Sequence, residues 1–414
     1  MHSTMSKLAL LGGNKVIREQ FKNYKWNSLR DTFELISIIR KGRLSGFLAQ
    51  PTDAHLGGPW VRRLEHLWAK NKNSNFAISF NSWTSGLDAA VASIGIEKGS
   101  EVLVPSWTMS ATIASIVKNG FTPKFVDINS DTFNVSLEML KDARSHRTQA
   151  VLAVDIFGLP CDSPNIEKFC NLNGLGFVID AAQSPLAKNQ EGSISPNHAD
   201  ITGYSFNRHK HLQVGEGGLA VTNTQAYADK MRLIRNHWEV THTMHGNSYS
   251  HNVVGNNYRM GEIEAMLASK QTERIEKLVG DRRTFARNLI KQLKDFDFLS
   301  GYFPTDFNSH DFYIIGLRYD RTKTGITRDI FVDALKSEGL TNVVSRYSNL
   351  HNIDTFKEYP RGPMNNTERL NNEEFIGLYI CGTNLSKMEL DLTVQVFTKV
   401  EENLSELRAL HPIR

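Results

Sequence analysis

From Asn75 onward, short runs of apolar and β-branched residues alternate with stretches whose apolar positions recur at helical spacing. Residues 76–80, 101–105, 123–127, 150–157, 176–180 and 219–222 read as strands. Helices are predicted over 84–94, 110–119, from Ser136 onward, and over 163–172. Strands separated by helices of about ten residues are the signature of βαβ units in a mostly parallel sheet. The first half of the chain therefore reads as α/β.

Past Arg259 the pattern changes. Residues 261–296 read as one long amphipathic helix whose charged face carries Glu262, Glu264, Lys270, Glu273, Arg274, Lys277 and Arg282. A helix of that length often bridges domains. A strand over 313–319, a helix over 328–338 and a terminal helix over 388–407 then suggest a smaller α+β domain. The expected division is a large α/β domain over 1–274, including the N-terminal segment, and a small C-terminal domain over 275–414. No internal repeat is visible.

A chain of 414 residues exceeds the size at which a single core keeps growing, which supports two domains. At 40% hydrophobic and 22% charged residues it is an ordinary globular composition, which excludes a disordered or fibrous protein. The net charge of +4 is spread along the chain with no basic block, arguing against nucleic-acid binding while leaving a mild attraction for anionic ligands. Cys161, Cys170 and Cys381 form no paired framework or metal spacing, so a reducing compartment is expected. Leu8-Ala9-Leu10-Leu11 is too short for a signal-peptide core, and no run approaches the roughly 18 apolar residues of a membrane span. These features point to a cytoplasmic protein without membrane partners.

Two segments carry the candidate chemistry. Gly176-Phe177-Val178-Ile179-Asp180 is an apolar strand ending in a carboxylate, followed by Ala181-Ala182-Gln183-Ser184. Ligands of open parallel sheets sit beyond the carboxyl ends of the strands, so Asp180 is placed either for a cofactor or as a simple turn residue. Some thirty residues on, Lys210 lies in a glycine-rich, hydroxyl-bearing turn running from Gly203 to Gly218, just before the strand over 219–222. A lysine there suits Schiff-base chemistry or mere surface decoration. No HExxH or comparable ligand spacing accompanies His209 and His211, and no metal is expected.

Motifs in order resolve the choice. Asn81-Ser82-Trp83-Thr84-Ser85-Gly86-Leu87, Val102-Leu103-Val104-Pro105-Ser106-Trp107-Thr108, Asp180-Ala181-Ala182-Gln183, Ser205-Phe206 through Gly218, Arg235-Asn236-His237 and Gly255-Asn256-Asn257-Tyr258-Arg259-Met260 follow one another along the chain. This set resembles the DegT/DnrJ/EryC1/StrS family of sugar aminotransferases, which have the aspartate-aminotransferase fold (fold type I) and use pyridoxal 5'-phosphate (PLP). The resemblance implies a large domain with a mostly parallel mixed sheet flanked by helices, a smaller C-terminal α+β domain, and a homodimer with shared active sites.

It also implies roles. Lys210 looks like the Schiff-base lysine that afterwards, as a free amine, shuttles a proton at the substrate carbon. Asp180 resembles the carboxylate that keeps the pyridine nitrogen protonated. Gln183 is similar to the family glutamine near the phenolic oxygen, its alternative being an ordinary helix-start residue. Ser82, Trp83 and Thr84 resemble the phosphate turn at a helix N-terminus, with Ser205 a second phosphate ligand; Ser82 is equally a candidate N-cap. Trp83 stands where the family commonly has glycine or alanine. Asn257 resembles the residue that reaches the partner's phosphate, or else caps the helix starting near Gly261. Met109 occupies the place of an aromatic residue that stacks on the ring, and a thioether can pack there. Trp107 lines the sugar pocket or belongs to the core. His209 and Arg259 are further candidates for substrate contact, with Gly46-Phe47-Leu48, Trp60 and residues 238–251 as possible pocket walls.

The implied activity is transfer of an amino group from an amino acid, L-glutamate or L-glutamine, to a keto sugar. A nucleotide-linked keto-deoxyhexose of surface-polysaccharide or amino-sugar biosynthesis is the first expectation. A keto octulosonate is the second and an inosose the third. A PLP-dependent sugar dehydratase is disfavoured because relatives of that kind carry histidine where Lys210 stands. A non-catalytic PLP-binding regulator is disfavoured by the intact lysine, aspartate and phosphate turn. Gly215-Glu216-Gly217-Gly218 precedes a strand and lacks dinucleotide-binding spacing.

Overall fold

The computed structural model describes residues 7–48, 52–189, 192–193, 196, 198–238 and 254–411. Two helices come first, α1 (Leu29–Lys41) and α2 (Pro59–Asn71). Then follow β1 (Phe76–Phe80), α3 (Trp83–Ser93), β2 (Glu101–Pro105), α4 (Ser110–Lys118), β3 (Thr122–Val126), α5 (Leu137–Ala143), β4 (Thr148–Val154), α6 (Ser163–Asn173) and β5 (Gly176–Asp180). The strand pair β6 (Ile201–Ser205) and β7 (Gly218–Thr222) leads into α7 (Gln225–Arg235), α8 (Glu262–Thr272) and α9 (Ile275–Leu293). The remainder is β8 (Leu299–Ser300), β9 (Ile314–Tyr319), α10 (Arg321–Thr324), α11 (Arg328–Ser337), β10 (Val343–Val344), α12 (Asn365–Arg369), β11 (Phe375–Tyr379), α13 (Lys387–Glu402) and α14 (Leu404–Leu410).

Among the described residues the first lobe is built on a seven-stranded sheet ordered β1-β7-β6-β5-β4-β2-β3, parallel except for the pairings β7 makes with β1 and β6. Its strands are buried on both faces, and alternate residues serve two separate cores. Val102, Val104, Leu152 and Val178 pack with Leu87, Ile113, Ile116 and Met231 of α3, α4 and α7. Leu103, Val151, Phe177 and Ile179 face the other way, onto Leu64, Trp68, Ile166 and Ala265 of α2, α6 and α8. Strands sandwiched in this way show continuous apolar runs rather than alternation. That is why β1, β2 and β5 begin and end where the sequence pattern places them.

The second lobe carries an antiparallel sheet ordered β10-β11-β9-β8. Its core joins Leu317 and Leu378 to Phe331, Leu335, Val396 and Phe397. The long helix expected over 261–296 is broken. Arg274 leaves the helical path and donates to Asp31 Oδ2 at 2.5 Å and to the Trp26 carbonyl at 2.6 Å, which separates α8 from α9. α9 does bridge the lobes. Ile275, Leu278 and Val279 pack in the first lobe, while Phe285, Leu289, Ile290 and Leu293 pack in the second.

The N-terminal segment differs from expectation too, since Leu8 and Ile17 lie in the second lobe's core. Buried Glu338 accepts the Ala9 N–H at 2.7 Å and the Val16 N–H at 3.1 Å, and pairs with Lys399 at 2.8 Å. An apolar run without a strand partner in the first lobe thus finds acceptors for its backbone N–H groups in the second.

Candidate active site

The site lies at the carboxyl ends of β5 and β6, adjacent parallel strands in which Asp180 stands opposite Gly203 and Ser205 follows two residues further along β6. Asp180 is 4% exposed. Its Oδ1 accepts the Trp83 indole N–H at 2.9 Å and the Ala182 backbone N–H at 3.2 Å, and its Oδ2 accepts the Thr112 hydroxyl at 2.9 Å. Burial pushes its carboxyl above the ordinary range; the Thr112 hydrogen bond, the Lys210 charge and the other two donors pull it back.

Lys210 stands in the turn between β6 and β7, half-buried. Its Nζ lies 4.3 Å from the centre of the Tyr313 ring. Burial lowers the amine to about 8, with the Asp180 charge opposing the fall. A lysine in this range holds a usable fraction of neutral, nucleophilic amine near neutral pH. Below it, Trp68, Tyr204 and His211 line a small cleft with Ala181 and Pro185. Tyr379, arriving from the second lobe, donates to the His209 carbonyl at 2.6 Å and so fixes the backbone next to the lysine.

Ser82 is the N-cap of α3, its Oγ accepting the Ser85 N–H at 3.1 Å. Capping and anion binding are compatible here, because the N–H groups of Trp83 and Thr84 precede the first intrahelical bond, from Gly86 to the Ser82 carbonyl at 3.1 Å. Ser205 Oγ accepts the Asn207 N–H at 3.3 Å. Gln183 Oε1 accepts the Phe157 N–H at 2.6 Å, and its side chain stands beside Tyr347 of the second lobe. Met109 sits at the N-cap of α4 with 65% of its surface exposed, free to pack on a ring.

Asn257 is exposed and does not cap α8, whose N-cap is Gly261. Its Oδ1 instead accepts Arg259 Nε at 3.0 Å. Arg259 also donates to Asn236 Oδ1 at 3.1 Å, so it braces the Asn257 segment. Arg235, from the same motif set, is a buried structural residue that reaches Glu65 at 2.6 Å. Glu65 in turn accepts the Ser79 N–H at 2.9 Å and so steadies β1 just before the Ser82 turn.

The structure decides one alternative and relocates two candidate pocket walls. Trp107 takes the core alternative: it is fully buried among Phe133, Phe157, Tyr347 and Phe375, and its indole donates to Asn349 at 2.8 Å. Phe47 is buried under the Arg235 guanidinium, 4.7 Å from the ring centre. Gly46 and Trp60 border a cavity of about 610 Å³ beside α1, which none of the residues around Lys210 touches. The two histidines separate. His211 is core, bonded to the Asp311 carbonyl at 2.8 Å and driven well below its ordinary value by burial. His209 is exposed, with its ring accepting from Arg208 at 3.1 Å. Residues 239–251, a candidate pocket wall, lie outside the described residues.

Thr112, Tyr313, Tyr347 and Tyr379 had gone unread in the sequence. Of these only Thr112 has a local signal, standing four residues after Thr108, which precedes the α4 N-cap, and the two hydroxyls are 2.7 Å apart.

This architecture is that of the fold type I class. DesI, solved in the presence of its TDP-sugar product, superposes with a TM-score of 0.83 over 97% of each chain, at 23% identity. Within that class the sequence settles the family: the family model described as DegT/DnrJ/EryC1/StrS aminotransferase family matches residues 49–383, and the chain belongs to it. GDP-perosamine synthase of Vibrio cholerae is 31% identical over 55% of this chain and 61% of its own length. An uncharacterized protein of Methanocaldococcus jannaschii is 28% identical over 85% of this chain and 92% of its own. The chain thus spans about three fifths of the perosamine synthase and nearly all of the archaeal protein. Among the described residues no helix is long and apolar enough to cross a membrane.

Proposed function

We propose that this chain is a PLP-dependent aminotransferase that moves the amino group of an amino acid, L-glutamate, onto a keto sugar linked to a nucleotide. The observation that carries the reading is the Lys210 amine, brought to about 8 by burial and set against the charge of buried Asp180. The residues present suit the cofactor. Lys210 would attach its aldehyde, Asp180 would pair with its ring nitrogen, and Ser205 with the first-turn N–H groups of α3 would take its phosphate. Gln183 would stand by the phenolic oxygen, and Met109 would pack on the ring.

When bound, the cofactor supplies an electron sink for the carbanion left by deprotonation. Lys210 Nζ, once free, takes the proton from the carbon bearing the amino group and returns a proton to the new C–N carbon. The Tyr313 ring face, 4.3 Å from that amine, holds it in its protonated form. The burial of Asp180 excludes water from its carboxylate and strengthens its pull on any N–H it meets.

A homodimer fits the surface. α1 exposes Leu29, Phe33 and Ile36, at helical spacing on one face, with Ile39 beyond them. Asn257, exposed and braced by Arg259, is the residue offered to a second copy's phosphate site.

The test is a spectrum followed by a product analysis. PLP should give the visible band of lysine-bound cofactor, L-glutamate should move it to the near ultraviolet, and [15N]glutamate should label an amino sugar formed from a nucleotide-linked keto sugar. No band at saturating PLP would overturn the assignment. A product that loses oxygen without gaining nitrogen would indicate a dehydratase instead.

A further inference from the structure

Trp83 opens α3, yet its indole turns inward and is 4% exposed. The ring lies between α3 and the sheet, in a space cleared by one glycine of the sheet and one of the helix itself. A Cβ on Gly203 of β6 would fall 1.6 Å from the ring, and one on Gly86 of α3 would fall 2.4 Å from it. Gly218 of β7 admits the turn's main chain: a Cβ there would sit 2.4 Å from the Trp83 backbone nitrogen. Neither Gly203 nor Gly218 has a positive φ, so close approach explains them rather than backbone freedom. So much accommodation for one side chain asks what the side chain does.

Its Nε1–H ends on Asp180 Oδ1 at 2.9 Å. A carboxylate offers about four lone-pair sites. Trp83 and the Ala182 N–H occupy Oδ1, and Thr112 occupies one site on Oδ2. Among the described residues, one site on Oδ2 is left. Three donors at fixed positions on three elements thus determine where that last lone pair points. α3 supplies the indole, α4 the hydroxyl, and the turn after β5 the backbone N–H.

We propose that Trp83 is a positioning residue: its indole N–H orients the Asp180 carboxylate so that one Oδ2 lone pair is presented to the cofactor's ring nitrogen. The inference rests on the PLP reading above. Trp83 touches neither substrate nor ring in this arrangement and acts through Asp180. It also joins cofactor chemistry to the phosphate turn, because the residue whose backbone N–H faces the phosphate is the one whose side chain holds the carboxylate.

The experiment compares holoenzymes containing Trp83, Trp83→Phe, and benzothienylalanine incorporated at position 83. The last keeps the bicyclic shape, lacks only the N–H, and so remains informative if Trp83→Phe does not fold. PLP affinity is read by absorbance titration, and the protonation of the cofactor by the 15N resonance of ring-labelled PLP. Loss of the donor should weaken PLP binding roughly tenfold or more, as expected for one hydrogen bond to a charged acceptor. It should also move the ring 15N resonance from the protonated toward the unprotonated position. A merely structural tryptophan would leave that resonance in place. Unchanged affinity and resonance with the N–H deleted would overturn the inference while leaving the PLP reading intact. Absence of the lysine-bound band in the unaltered protein would overturn both.

Discussion

Burial of the Lys210 amine imposes a pH signature on the cofactor-free protein. The amine is brought from 10.5 to about 8 in the folded chain. Between those values the unfolded chain binds the proton that the folded chain has lost, so stability rises with pH across that window. Below about pH 8 the folded state carries the whole penalty of a desolvated cation, about 3 kcal/mol, and at pH 10 only about 1 kcal/mol of it remains.

Lys210→Met removes the cation and keeps an unbranched apolar side chain. The advantage of the variant over the unaltered protein should therefore shrink by about 2 kcal/mol between pH 7 and pH 10. Lys72 is also brought to about 8 by burial, but it is present in both proteins and cancels in the difference. Urea unfolding of both cofactor-free proteins at pH steps from 7 to 10 measures the effect. A stability difference that stays constant with pH, or grows, would refute the buried-amine account and with it the source of the lysine's nucleophilicity.

Glu65→Ala should cost about 3–5 kcal/mol in chemical denaturation, because it leaves Arg235 buried without its carboxylate; an unchanged unfolding midpoint would contradict the 2.6 Å pair. Phe33→Asp on the exposed face of α1 should abolish burial of a phenyl group worth about 1.5–3 kcal/mol and shift a dimer toward monomer in light scattering. A dimer of undiminished affinity would place the interface elsewhere. Ser82→Ala should lower stability by about 1 kcal/mol through loss of the α3 N-cap and weaken PLP binding as well. Loss of stability without loss of affinity would make Ser82 a cap alone.

Much of the first lobe was legible because parallel strands buried on both faces leave uninterrupted apolar runs, as in Gly176–Asp180. The second lobe was less so. β11 went unread although its five residues are mostly buried, because it pairs with β9 more than fifty residues away and no turn next to it announces the partner. The break between α8 and α9 was hidden for a similar reason: it depends on Arg274 meeting Asp31 and the Trp26 carbonyl, contacts made across more than 240 positions. Lys210 and Asp180 stood out by their place in an ordered set of motifs. The tyrosines that surround the lysine come from loops and strands of the other lobe and carry no local mark.

The limit of local reading is sharpest in a tripeptide that occurs twice. Ser82-Trp83-Thr84 follows β1 and Ser106-Trp107-Thr108 follows β2, each leading from a strand toward a helix. By sequence alone the second tryptophan suits the sugar pocket or the core, and the first resembles part of a phosphate turn through its backbone. Folding separates them by what lies opposite. Trp83 meets a sheet surface opened by Gly203 and reaches Asp180. Trp107 meets Phe133, Phe157 and Phe375, and its indole is taken by Asn349 at 2.8 Å. Asn349 then bonds Glu368, which bonds His351, whose other ring nitrogen is 2.6 Å from the Ser106 hydroxyl. The same three residue types thus serve the buried Asp180 carboxylate in one copy and a lobe-to-lobe anchor in the other. What decides between the two roles is a glycine some 120 positions away in one case and a loop of the second lobe in the other.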